Sequence, residues 1–249
     1  MNDLLEVKDL SKTYHTKNGE IKAIDNIGFS VKEGEFLCIV GSSGCGKSTL
    51  LSILANLEKP SKGDINWNKD DPVIGYMLQS DALFPWLTVF ENAILGLKIR
   101  HEDSKDNIKY VRRLLELYGL SSFINKYPNE LSGGMRQRVA LIRTLAIKPD
   151  ILLLDEPFSA LDYQTRLAVS SDVYKIIKKE GKTVVMITHD IAEAISLADR
   201  IIVLSKRPAN IKNEHELFFE ESDPVEKRNT KEFNHYYQTL WKELDNNVL

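Results

Sequence analysis

Five apolar residues, Phe36-Leu37-Cys38-Ile39-Val40, run straight into Gly41-Ser42-Ser43-Gly44-Cys45-Gly46-Lys47-Ser48, and an apolar-rich segment from Thr49 to Leu57 follows. That order predicts a strand, a glycine-rich turn and a helix, the setting in which G-x-x-x-x-G-K-[ST] cradles a nucleoside phosphate. The glycines let the backbone bend around an anion, and the following helix offers unpaired N–H donors and the positive end of its dipole. Lys47 is expected to reach the β- and γ-phosphates, and the Ser48 hydroxyl to take a place on Mg²⁺.

The bulk numbers narrow the class. At 249 residues, with 43% hydrophobic and 28% charged, the chain has the make-up of a soluble globular protein with a sizeable core. A net charge of −3 argues against a general nucleic-acid binder. No window approaches the ~20 apolar residues of a membrane span. The start, Met-Asn-Asp-Leu-Leu-Glu, lacks the basic-then-apolar pattern of a signal peptide, so a cytoplasmic protein is expected. Cys38 and Cys45 are the only cysteines, which provides no disulfide framework.

Before the phosphate loop, Leu4 to Val7, Ile21 to Ile24 and Ile27 to Val31 read as antiparallel strands, with Asn18-Gly19 as a hairpin cue. Tyr14 lies just before that hairpin and can either stack on a base or pack against a strand. After the loop helix, Gly63 to Trp67 and Val73 to Leu78 read as strands, the second ending at Gln79. A glutamine there can hold Mg²⁺ or a water through its carbonyl oxygen, or be a solvated loop residue. Residues 80 to 147 form a mostly helical insertion, with helices expected over Thr88 to Lys98 and Ile108 to Tyr118, a polar linker at Asp103 to Asp106, and Gly119 as a stop. Within it, Phe84-Pro85-Trp86-Leu87 is either core or a docking loop. Ser132-Gly133-Gly134 ahead of helix formers is either an ordinary cap or a second anion site.

The run Ile151-Leu152-Leu153-Leu154 is continuous in the manner of a doubly covered parallel strand, and it ends in Asp155 and Glu156. In a phosphate-loop protein such an Asp is placed to hold the Mg²⁺ shell, and the next acid to polarise a water for attack on the γ-phosphate. Lys182 to Thr188 is another buried strand with His189 at its carboxyl end, where parallel-sheet ligands bind. Asp190 to Asp199 reads as a helix and Arg200 to Ser205 as the last core strand. Residues 213 to 232 look solvated. Phe233, Tyr236, Tyr237, Leu240, Trp241 and Leu244 then share one helix face, packed on the core or on a partner.

Taken together, these motifs resemble the ATP-binding cassette (ABC) ATPase family over about Leu4 to Ser205. Gly41 to Ser48 looks like its Walker A, Ile151 to Asp155 its Walker B, and Leu131-Ser132-Gly133-Gly134-Met135-Arg136-Gln137-Arg138 its signature, the most specific of the three. Gln79 is similar to the Q-loop glutamine, Ser159-Ala160-Leu161-Asp162 to the D-loop, His189 to the switch histidine and Tyr14 to the adenine-stacking position. The resemblance implies an α/β P-loop NTPase core with a mixed, mainly parallel sheet, an antiparallel β subdomain and an α-helical subdomain over about 80–147. It puts the ATPase domain at 1–205 and leaves 206–249 as an extension with an amphipathic helix.

The resemblance also implies a function. Two such domains would dimerise head to tail, with Ser132, Gly133 and Gly134 of one closing on the ATP held by the other. Glu156 would be the base, His189 would brace the γ-phosphate, and Ser48, Gln79 and Asp155 would surround Mg²⁺. Gly41 to Gly46, Lys47, Thr49 and Tyr14 would hold ATP. The pore would be a separate pair of membrane permease subunits received by Gln79 to Leu87, supplied by an extracytoplasmic solute-binding protein. That puts the chain on the cytoplasmic face of the membrane. Asp81-Ala82-Leu83-Phe84-Pro85-Trp86 most resembles the nitrate/sulfonate/taurine importers, whose relatives also carry thiamine precursors. Leu78, where many relatives have Phe, and a short Gly63 to Gly75 stretch depart from that pattern. A soluble non-transport ABC ATPase and an ABC exporter ATPase are the alternatives.

Overall fold

The computed structural model describes residues 2–17, 19–159 and 161–245. Asn18 of the hairpin cue and Ala160 of the D-loop lie outside the described residues. The chain opens with β1 (Asp3–Thr16) and β2 (Gly19–Lys32), and β3 (Phe36–Val40) leads into α1 (Lys47–Leu54). Next come β4 (Lys62–Trp67) and β5 (Ile74–Met77), then the helices α2 (Val89–Ile99), α3 (Lys105–Leu117) and α4 (Gly133–Ala146). β6 (Ile151–Asp155), α5 (Tyr163–Lys179), β7 (Thr183–Thr188), α6 (Ile191–Leu197) and β8 (Arg200–Leu204) complete the alternation. β9 (Ile211–Glu216), α7 (Pro224–Lys227) and α8 (Lys231–Asp245) close the chain.

The main sheet has the order β5-β6-β7-β3-β8-β9, parallel from β5 to β8, with β9 antiparallel at the edge. A smaller antiparallel sheet has the order β2-β1-β4. Burial explains the apolar runs. On β3, Phe36, Cys38 and Val40 face the cluster formed with the helices, while Leu37 and Ile39 face the cluster shared with α1 and the small sheet. β6 and β7 alternate the same way, so both faces of these strands are covered and no polar position interrupts them. Burial also pushes the Cys38 thiol up, which fits a packing role for that residue.

Several expectations need correction. The separate strands expected at Ile21–Ile24 and Ile27–Val31 are one strand, β2, kinked at Asn26, whose φ is 53°. Leu4–Val7 extends to Thr16 as β1, with Asp9 at φ 49° where the register shifts. These bulges break the period-2 pattern without ending the pairing. The loop helix starts two residues earlier than Thr49 and ends at Leu54, leaving Leu57 exposed. The polar linker ends at Ser104, which caps α3 by accepting from the Asn107 N–H. The stretch 213–232 is not uniformly solvated: it begins inside β9, and Lys227 of α7 is buried, its ammonium over the rings of Tyr174 and Phe219.

Arg200 ties the two sheets together. Its guanidinium donates to Glu35 just ahead of β3 (2.7 Å), to Glu214 of β9 (2.7 Å) and to the Ser30 carbonyl of β2. Burial alone would lower its pKa, but the two carboxylates outweigh that and hold it up. Breaking such a pair leaves the nearly buried Glu35 without its counter-charge. Arg200→Met should therefore lower the unfolding free energy by about 3 kcal/mol in urea titrations, and Glu35→Gln in the same chain should recover part of it. An unchanged midpoint in the single variant would exclude this cross-link as a stabilising contact.

Candidate active site

The strand order sets the site. β6, β7 and β3 lie side by side and parallel, so Asp155, Thr188 and Val40 end at one edge, with Asp155 paired to Ile187 and Val40 to Thr188. The loops leaving these ends, together with the one after β5, line a cleft of about 700 Å³. Gly41, Ser42, Ser43, Gly44, Gly46, Lys47, Ser48 and Thr49 form its floor, with Gln79, Glu156 and His189 opposite. Gly46 has a φ of 134°, and a Cβ there would come 2.9 Å from the Ala23 carbonyl, so the loop geometry admits no side chain at that position.

Lys47 is nearly buried, and its ammonium donates to the carbonyls of Gly41 (2.8 Å) and Ser42 (3.1 Å). Among the described residues it makes no ion pair, and the nearby Asp155 carboxylate feels its charge without touching it. An anion in the cleft would supply an ion-pair partner. Ser48 Oγ lies 3.4 Å from Asp155 Oδ1. Burial raises the Asp155 pKa, the Ser48 bond opposes that, the Glu156 charge adds to it, and Lys47 opposes it. A desolvated carboxylate beside a hydroxyl is an oxygen pair that fits Mg²⁺. No cluster of three His, Cys, Asp or Glu side chains suited to a metal occurs among the described residues.

Glu156 Oε2 accepts from Gln79 Nε2 (3.2 Å) and pairs with His189 Nδ1 (3.0 Å), so the three residues meet at one oxygen. Glu156 has a φ of 44°, a conformation that costs a non-glycine residue about 1–2 kcal/mol. Its N–H donates to Ile187 O (2.9 Å) and its carbonyl accepts from Ser159 Oγ (3.0 Å), which fixes the turn.

The remaining expected residues lie apart from the cleft. Cys45 is buried beneath the loop. Tyr14 is half-buried at the inter-sheet core, with the Lys12 ammonium 4.9 Å from its ring centroid, and does not line the cleft. Ser132 caps α4 by accepting from the Met135 N–H (3.3 Å) and is exposed, and neither it nor Gly133 nor Gly134 reaches the cleft of its own chain. Sequence reasoning missed Trp241, Leu244 and Asp245, which line the cleft from α8. Periodicity identifies that helix but carries nothing about where it docks.

A second set of contacts joins α4 to its surroundings. Arg136 Nε pairs with Asp81 Oδ2 (2.8 Å), and Arg143 donates to the carbonyls of Ala82 (2.8 Å) and Asp81 (2.9 Å). Gln137 donates to the Pro157 carbonyl, next to Glu156. Beyond Asp81, the fully buried Asn92 amide donates to the carbonyls of Phe84, Leu87 and Thr88 and accepts from the Phe84 N–H. That fixes a loop presenting exposed Phe84 and Trp86, rings 5.2 Å apart.

Behind His189, burial pushes the Glu193 carboxyl up to about 7, countered by a bond with Thr188, reinforced by the Asp190 charge, and countered again by Arg166 and His189. Its folded pKa lies above the ordinary 4.5, so this residue favours folding below about pH 4.5, and that contribution is lost as pH rises through about 7. Glu193→Gln should thus gain about 2–3 kcal/mol on the parent at pH 8 relative to their difference at pH 5, read from chemical denaturation. The same difference at both pH values would contradict a desolvated carboxyl.

A family profile described as "ABC transporter" matches residues 24–159. A taurine import ATP-binding protein of Pelagibacter ubique is 44% identical over 88% of this chain and 84% of its own. A nitrate import ATP-binding protein of Synechocystis is 42% identical over 84% of this chain and 80% of its own. Among solved structures, a dimeric post-hydrolysis ATP-binding cassette bound to ADP and Pi superposes with a TM-score of 0.74 at 35% identity, covering 86% of this chain and 99% of that one.

Proposed function

This chain belongs to the ABC transporter family, an ATPase family, and from that premise we propose that it is the ATP-hydrolysing subunit of an importer. In this reading two copies pair head to tail, and ATP sits between the phosphate loop of one and Ser132, Gly133 and Gly134 of the other. One observation carries it. The chain's own cleft has a phosphate loop, a carboxylate, a glutamine and a histidine, while the glycine-rich helix start lies outside it, with its cap Ser132 exposed. Such a helix start is an anion site with no anion of its own to serve.

Lys47 and the loop N–H groups would bind and orient the β- and γ-phosphates. Ser48 and Asp155 would hold Mg²⁺, with Gln79 beside them; the ion would offset phosphate charge. Glu156 would take the proton of the attacking water as the water oxygen bonds to the γ-phosphorus. The bond to the β–γ bridging oxygen then breaks, releasing ADP and phosphate. His189 would brace the γ-phosphate once its contact with Glu156 opens. Since ATP contacts both copies only when they are closed, binding would favour the closed dimer and hydrolysis would release it.

No helix among the described residues is long and apolar enough to cross a membrane, so in this reading the pore belongs to separate permease subunits and the chain sits at their cytoplasmic side. The Phe84–Trp86 loop, fixed by Asn92 and tied to α4 through Asp81, suits a docking site for a permease helix. The resemblance to taurine and nitrate import proteins supports uptake of a nitrate/sulfonate/taurine-type solute, with a thiamine-precursor-type solute as the other candidate, delivered by an extracytoplasmic binding protein.

Glu156→Gln should retain ATP binding, lower turnover by at least about 100-fold and accumulate an ATP-bound dimer, seen by single-turnover assay and light scattering. Unimpaired hydrolysis would remove Glu156 from the base role.

A further inference from the structure

The C-terminal helix reaches the active-site cleft. Trp241, Leu244 and Asp245 line the same cavity as the phosphate loop, Glu156 and His189. α8 is seated firmly: Phe233 and Leu240 are buried. Glu243 pins its far end, with its side chain accepting from Asn213 Nδ2 (2.8 Å) and pairing with His215 Nε2 (3.2 Å) on β9. The Glu243 carbonyl accepts from Lys212 (2.6 Å). The Trp241 ring stacks on Tyr237, centroids 6.1 Å apart at 18°, yet the residue remains 53% exposed. A large indole is thus held in solvent at the rim of a phosphate site, by a helix that cannot easily turn it inward.

We propose that the α8 end, centred on Trp241, is part of the surface that a second copy of this chain covers when the ATP-bound dimer closes. The proposal rests on the head-to-tail reading given above. In that reading the incoming copy must bring Ser132 to Gly134 onto this cleft, so the cleft rim is continuous with the dimer face. Phosphate gives an indole no apolar partner, whereas a protein surface does. Tryptophan with an apolar body and an N–H tip is the residue type that dominates interface energetics. The contact would add apolar area to a closure otherwise driven by charged and polar groups.

The test uses the full chain with Trp67→Phe and Trp86→Phe, leaving Trp241 as the sole tryptophan, in the Glu156→Gln background. Molecular mass, emission wavelength and acrylamide quenching are recorded with and without Mg-ATP. The expected result is a dimer with ATP, blue-shifted emission and quenching reduced severalfold. Ser132→Arg added to this chain should bind ATP, stay monomeric and leave Trp241 as accessible as before. Trp241→Ala in the Glu156→Gln chain should weaken ATP-driven dimerisation by roughly 30-fold, the scale of an interface hot spot. A dimer in which Trp241 stays accessible overturns the inference and leaves the functional reading standing. Protection of Trp241 in the ATP-bound monomer also overturns it, since nucleotide would then be the cover. Absence of any ATP-dependent dimer overturns both.

Discussion

An ammonium group buried against two main-chain carbonyls, with no carboxylate in ion-pair contact among the described residues, is the constraint around which the rest is arranged. Lys47 is held by Gly41 and Ser42 at the end of β3, so its charge stays in the glycine-rich loop at the floor of the cleft. Leaving a buried cation without an anion is costly, and the cost is relieved by a bound phosphate. Every neighbouring feature follows that geometry. β7 and β6 bring His189 and Glu156 to the same edge of the sheet, and β5 delivers Gln79. The strained Glu156 turn keeps its carboxylate within reach of both partners.

The parts of the fold set by local chemistry were legible in the chain. Doubly covered strands such as Ile151–Asp155 admit only apolar residues, and the phosphate loop needs glycine at the position where Gly46 approaches Ala23. What escaped detection has a common cause, in that it depends on contacts remote in sequence. β9 is a polar edge strand, Ile211-Lys212-Asn213-Glu214-His215-Glu216, whose mostly exposed side chains leave no alternation to read. The bulges at Asp9 and Asn26 split two long strands into apparent fragments. In the site, the motif residues of the loop, Gln79, Glu156 and His189 do meet. Tyr14 lies outside the cleft lining with Lys12 over its ring, and Trp241 arrives from a helix beyond the last motif. Neither outcome leaves a trace in spacing.

The contacts of α4 give the dimer reading a mechanical consequence. Its start is capped by the exposed Ser132, its Gln137 donates to Pro157 beside Glu156, and its arginines hold Asp81 and Ala82. A displacement of that cap on engaging a second copy's ATP would therefore be felt at the Phe84–Trp86 loop. The same rigid element touches the proposed dimer face, the proposed base and the proposed permease dock.

The central claim is that each ATP site is built from two copies, and mixing two defective variants tests it most directly. Lys47→Ala lacks a working phosphate loop, and Ser132→Arg lacks a working cap, so neither should hydrolyse ATP or close on its own. A heterodimer of the two contains one site with an intact loop facing an intact cap. The account predicts that mixing restores ATP-dependent association and a measurable fraction of hydrolysis. If Ser132→Arg alone hydrolyses ATP normally and adding Lys47→Ala raises neither its activity nor its association, the site is complete within one chain and the account is wrong.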